Sequence, residues 1–202
     1  MSQKDYELGL PLWTVASKFL NLVTRTATEI AAHGNPTGAV SNRPLTAEEI
    51  QERTQWSDTD LSVPMLFDFY HGLEVMMKGF LVAEGQPGKG HKLSKLLGQV
   101  ISLHPKEPVF QIMAKYIDRS QLPSPLREFF DENGITPDSF YEVFKYPEMM
   151  NGKLISHHRL KYGGESGARF YRQLSEDAEQ INRLSARLAN TSYPRTPTSN
   201  AV

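Results

Sequence analysis

Seven consecutive residues, Ser156 to Tyr162 (SHHRLKY), carry two imidazoles, a guanidinium, an ammonium and a phenol. That combination suits phosphate. An arginine grips two phosphate oxygens at once, a lysine adds a point charge, and a tyrosine ring stacks on a base. His157 or His158 beside a ribose has the chemistry of a general base, because imidazole titrates near neutral pH. Arg159 would then stabilise charge developing on a phosphorane-like transition state. Arg169 and Arg172 follow at the start of the last helix, whose N-terminus itself favours anions. The expected catalytic set is therefore His157, His158 and Arg159. The expected nucleic-acid or nucleotide-binding set is Arg159, Lys161, Tyr162, Arg169 and Arg172, joined by His91. The competing reading of the same stretch is a solvated loop whose charges do nothing specific.

His91 lies between Lys89 and Lys92 at the start of a helix. A neutral imidazole there accepts from backbone N–H groups or bonds across to a neighbouring helix, so a structural role is preferred to a ligand contact. His71, at the edge of a helical stripe, reads as a partly buried core histidine. No metal or cofactor site is expected. His157 and His158 are adjacent and point differently on any regular backbone, no HExxH accompanies them, and thiolates are absent. The stretch GQPGKG lacks phosphate-loop spacing and follows a helix, so it reads as a linker. The many aromatic residues recur at helical spacing and read as core.

The elements that must position these groups are helical. Leu12, Val15, Ala16, Phe19, Leu22, Val23, Ala27, Ile30 and Ala31 form one stripe over about 10–32, ended by Gly34, Asn35 and Pro36. Thr46 with Glu48 and Glu49 caps a short helix over 47–55. Ser62 ahead of Pro64 predicts the start of a central, mostly buried helix reaching Ala83, in which Gly72 and Gly79 permit close helix approach. Further helices are predicted over 91–103, 108–117, from Pro125 to Asn133, from Thr136 to Tyr146, and over 168–189. Strand signals are weak throughout. The class is all-α: an up-and-down bundle of four long helices with short ones attached, forming one domain over 1–190 and a disordered tail over 191–202.

Composition limits the partners. Among 202 residues, 22 Lys+Arg stand against 23 Asp+Glu, so no global field would hold the chain on nucleic acid or an anionic membrane, and any polyanion site must be local. The cysteine count is 0, which excludes disulfides and a cysteine nucleophile and fits a reducing compartment. No stretch approaches the roughly 18 apolar residues of a membrane span, and no leader pattern opens the chain, so a cytoplasmic location is expected.

One resemblance sharpens this. Glu74 and Lys78 follow an apolar helix face, a glycine loop follows, and Gly90, His91, Leu93, Leu96 and Leu97 open the next helix. Arg159 and Tyr162 precede a final helix carrying Glu176, Asp177 and Ala178. Over about 61–103 and 155–188 the chain resembles the HEPN superfamily. The resemblance implies a four-helix bundle, frequently dimeric, and in many members a metal-independent RNase built on an arginine followed four to six residues later by histidine. This chain departs from that motif: Arg25 precedes His33 by eight residues, and no histidine follows Arg159. Members without the motif bind nucleotides or partner proteins, often nucleotidyltransferases or toxins. The expectation is thus a homodimeric HEPN-like binding or interaction protein that engages RNA or nucleotide phosphate through the basic loop. The alternatives are a divergent metal-independent endoribonuclease or a structural partner of a nucleotidyltransferase or toxin.

Overall fold

The structure, a computed structural model, describes residues 5–193. Helix α1, Tyr6–Ala32, is capped by the Asp5 carboxylate, which accepts from the Glu7 N–H at 2.9 Å. The cap starts the helix one turn ahead of the expected position. Pro11 is accommodated on its exposed side. α2, Ala47–Thr54, has a full capping box between Thr46 and Glu49, as its sequence predicts.

α3, Asp58–Ala83, starts at the Ser57 cap rather than at Ser62. Ser57 accepts from the Thr59 N–H at 3.1 Å, and Asp58 and Asp60 add negative charge in the first turn, a stronger start signal than Ser62 offers. Ser62 is consequently buried inside the helix. The expected central role holds: Leu66, Phe69, Tyr70, Leu73, Met76, Met77, Phe80 and Leu81 are all buried. A methyl group on Gly72 would stand 3.2 Å from Leu20, and one on Gly79 would stand 2.5 Å from the Trp13 indole. The two glycines therefore let α1 pack directly against the α3 backbone.

The long helices are α1, α3 and the last one, α8, Gly164–Ser192, and α1 packs on both of the others. The two helices expected over 91–103 and 108–117 form as α4, Leu93–Leu103, on α3, and α5, Pro108–Ile117, on α8, so that among the described residues only three helices exceed twelve residues. His104 and the Pro105 turn separate them. α6, Ser124–Asn133, ends on Gly134 in the left-handed conformation, φ 64°. A 3-10 turn, Pro137–Ser139, and the single-turn helix α7, Phe140–Val143, follow. Phe130, Phe140 and Phe144 from this covering layer pack around Tyr70, whose hydroxyl donates to the Tyr116 carbonyl at 3.0 Å. Among the described residues the only β pairing is an isolated bridge between Glu148 and Leu154. The class is all-α.

α8 begins four residues before the expected Ala168, and it runs to Ser192, beyond the expected end of the domain at 190. Tyr193 is buried between Trp13 and Phe80. The rest of the expected tail, from 194, lies outside the described residues. No helix among them is long and apolar enough to cross a membrane.

Candidate phosphate-binding site

The loop between α7 and α8 is fastened at Leu160, which is buried, and at Asn133. The Asn133 side chain accepts from the Ser156 N–H at 2.9 Å and donates to the Ser156 carbonyl at 3.0 Å. His157 turns inward from there. Its Nε2 lies 2.6 Å from the Val143 carbonyl, which can only accept, so Nε2 carries the proton, and the ring stacks on Phe129 at 5.8 Å. That nitrogen is occupied and is not a free base.

His158 and Arg159, in a 3-10 turn His158–Leu160, face outward and meet one carboxylate, Glu132 at the end of α6. Arg159 Nε donates to Glu132 Oε2, and His158 Nε2 stands 3.5 Å from Oε1 while its Nδ1 bonds the Ser156 hydroxyl. The Arg159 hydrogen bond lowers the Glu132 carboxyl below its ordinary range. The three expected catalytic groups are thus divided between an internal hydrogen bond and a surface ion pair. Lys161 remains exposed.

Two of the expected binding residues do come together. Tyr162 and Arg169 line one groove of about 480 Å³ with Ser124, Glu128, Ser166, Phe170 and Gln173. The Tyr162 hydroxyl donates to the Pro125 carbonyl at 2.6 Å, and its burial pushes the phenol up. Arg169 reaches the Ser166 hydroxyl at 3.3 Å. The N-terminus of α8, which has no side-chain cap, adjoins the same groove. The backbone N–H groups of Tyr162 and Gly163, at 2.6 and 3.0 Å from Asp58 Oδ2, hold the groove's edge on the start of α3. Arg172 is not part of it. One turn along α8, it lines a different hollow with Thr28 and Glu176, against α1.

His91 stands apart from the loop in a network the sequence reading left unassembled. Glu74, 2 % exposed on α3, accepts from Lys78 and, at 2.9 Å, from His91 Nδ1. Its second oxygen is 3.7 Å from His71 Nδ1. His71 packs between Phe67 and Phe19. Burial raises the Glu74 carboxyl, but the nearby His71 imidazole, the Lys78 hydrogen bond and the charges of Lys78 and His91 outweigh it and hold it at about 2. The local signal was present, since His71, Glu74 and Lys78 are three and four residues apart on one helix face. The contact with His91 needed the helix hairpin. Glu74, Lys78 and His91 are among the residues that carry the HEPN resemblance, with Gly90, Leu93, Leu96 and Leu97.

No group of three or more histidine, aspartate or glutamate side chains among the described residues is arranged to hold a metal ion. Comparison of the chain with protein-family models, with curated proteins and with solved structures finds no match.

Proposed function

We propose that this protein is a HEPN-like domain of binding type that takes the phosphate of RNA or a nucleotide in the groove between α6 and the start of α8. The observation that carries the reading is the convergence of Tyr162 and Arg169 on one groove with the Ser166 hydroxyl, the Gln173 amide and the first turn of a 29-residue helix. A guanidinium and a helix N-terminus favour an anion, and a phenol ring supplies a stacking surface. Lys161, exposed next to Tyr162 in the chain, adds charge, while Glu128 in the wall repels a second phosphate and limits the site to a short ligand. Binding is favoured over cleavage, because His157 is spent on a backbone carbonyl and Arg159 on Glu132.

The test is fluorescence anisotropy with a labelled single-stranded RNA oligonucleotide and a labelled nucleoside triphosphate. Arg169→Ala should weaken binding at least fivefold with unchanged thermal unfolding, while Arg172→Ala should bind as the wild type does. Equal affinity in wild type and Arg169→Ala would overturn the reading.

A second reading, self-association, rests on a different observation. The apolar face of α3 is consumed inside the fold, but Leu8, Val15 and Leu22 on α1 are 53, 43 and 52 % exposed at seven-residue spacing. Such a stripe is a seam for a second helix. A two-fold axis at Val15 would bring Leu8 onto Leu22 of a second copy and Arg25 towards Asp5, pairing opposite charges.

A further inference from the structure

We propose that His91 is a phosphoryl-accepting histidine, modified at Nε2 by a donor of high transfer potential. The Glu74 carboxylate can only accept, so the hydrogen bond at 2.9 Å places the imidazole proton on Nδ1 and the lone pair on Nε2. Glu74 is buried and fastened by Lys78, so it cannot follow the ring into solvent. The His91 side chain is 65 % exposed, and its Nε2 has no hydrogen-bond partner among the described residues. A nucleophile aimed outward and backed by a fixed carboxylate is the arrangement that activates an imidazole.

The surroundings favour a phosphoryl group over a bound small-molecule substrate. His91 lines neither neighbouring hollow, one bounded by Ser94 and Ile101 and the other by Tyr141 and Tyr146. It has no cleft in which to hold a substrate, so the donor must come to it. Lys89 and Lys92 flank it in the chain, and the first turn of α4 that follows is held separately, its Ser94 N–H donating to Asp138 at 2.8 Å. Lys78 compensates the charge of Glu74, so an arriving phosphoryl group does not meet a bare carboxylate. The Tyr141 ring lies 5.5 Å away, and its hydroxyl accepts from Lys145.

In the step, the Nε2 lone pair attacks phosphorus, an N–P bond forms, and the bond from phosphorus to its leaving group breaks. With phosphoramidate the leaving group is ammonia. The positive charge left on the ring is held through Nδ1–H on Glu74. No oxidant or metal is needed.

The intact protein is incubated with potassium phosphoramidate, and the modified residue is located by tandem mass spectrometry under alkaline conditions, where phosphohistidine survives. One acid-labile phosphoryl group is expected on His91, forming on the order of tenfold faster than any on the exposed His158, which lacks a buried carboxylate behind it. His91→Asn should abolish it with thermal unfolding little changed, and Glu74→Gln should slow it. Modification of His158 at an equal rate within the same molecule, or no modification of His91, would overturn the proposal. That comparison needs no variant to fold, and it is independent of RNA or nucleotide binding at Arg169.

Discussion

Asn35 and Asp58 bond to each other in both directions: Asn35 Nδ2 donates to Asp58 Oδ2 at 2.8 Å, and the Asp58 backbone N–H donates to Asn35 Oδ1 at 2.8 Å. Asn35 sits just past α1 in the left-handed region, φ 49°, with its carbonyl accepting from Gly164 at 2.9 Å. One buried residue therefore joins the end of α1 to the start of α3 through its side-chain amide and to the start of α8 through its backbone carbonyl. Gly167 gives it room, since a methyl group there would stand 2.3 Å from Asn35 Nδ2.

Removing that amide should be costly. Asn35→Ala leaves a buried N–H and a buried carboxylate each short of a partner and also strains the backbone, so a loss of about 2–4 kcal/mol is expected. Asn35→Gly keeps the backbone conformation and should lose somewhat less. Urea unfolding of both variants measures this. A wild-type midpoint in Asn35→Ala would show that the junction does not depend on the amide.

Two glycine substitutions should move stability in opposite directions. Gly79→Ala drives a methyl group into the Trp13 indole, with no room for it at 2.5 Å, and should destabilise by about 1–3 kcal/mol. Gly98, inside α4, has open space where the methyl group would go, so Gly98→Ala should stabilise by up to about 1 kcal/mol. Differential melting of the two variants decides the matter, and the same sign in both would contradict this packing.

Acid should unfold the protein through Glu74. Its carboxyl is held at about 2 against an ordinary 4.5, so the stability it contributes is complete above the ordinary value and is lost as pH falls from about 4.5 towards 2. At about 1.4 kcal/mol per pH unit the whole effect is roughly 3 kcal/mol. Chemical denaturation across that window should show the decline, and Glu74→Gln should flatten it while being less stable at neutral pH.

Charge on the exposed α1 stripe tests self-association. Val15→Arg and Leu22→Arg leave the core untouched, so each should melt as the wild type does while sedimenting as a monomer at concentrations where the wild type sediments as a dimer. A wild type that is monomeric throughout would dispose of the symmetric seam.

Glu74, Lys78 and His91, three of the residues that carry the HEPN resemblance, form one network within the α3–α4 hairpin. Glu74 is a buried charge in the middle of α3, Lys78 compensates it within the helix, and His91 ties the following loop back to it.

What the sequence by itself determined lies within about one helical turn. The Thr46 and Glu49 capping box, the bounds of α5 at Pro108 and Ile117, and the Gly134 stop all follow from neighbouring residues, as does the buried face of α3 from its apolar period. The tertiary structure decided the rest. Glu132 is 27 residues from the Arg159 it neutralises, Val143 is 14 from the His157 it occupies, and Glu74 is 17 from His91. The separation of Arg169 from Arg172 follows from which neighbour, α6 or α1, each side of α8 meets. A composition of basic residues records which charges a segment carries, but whether a charge is free depends on the group that packing brings opposite it, and no local pattern encodes that group.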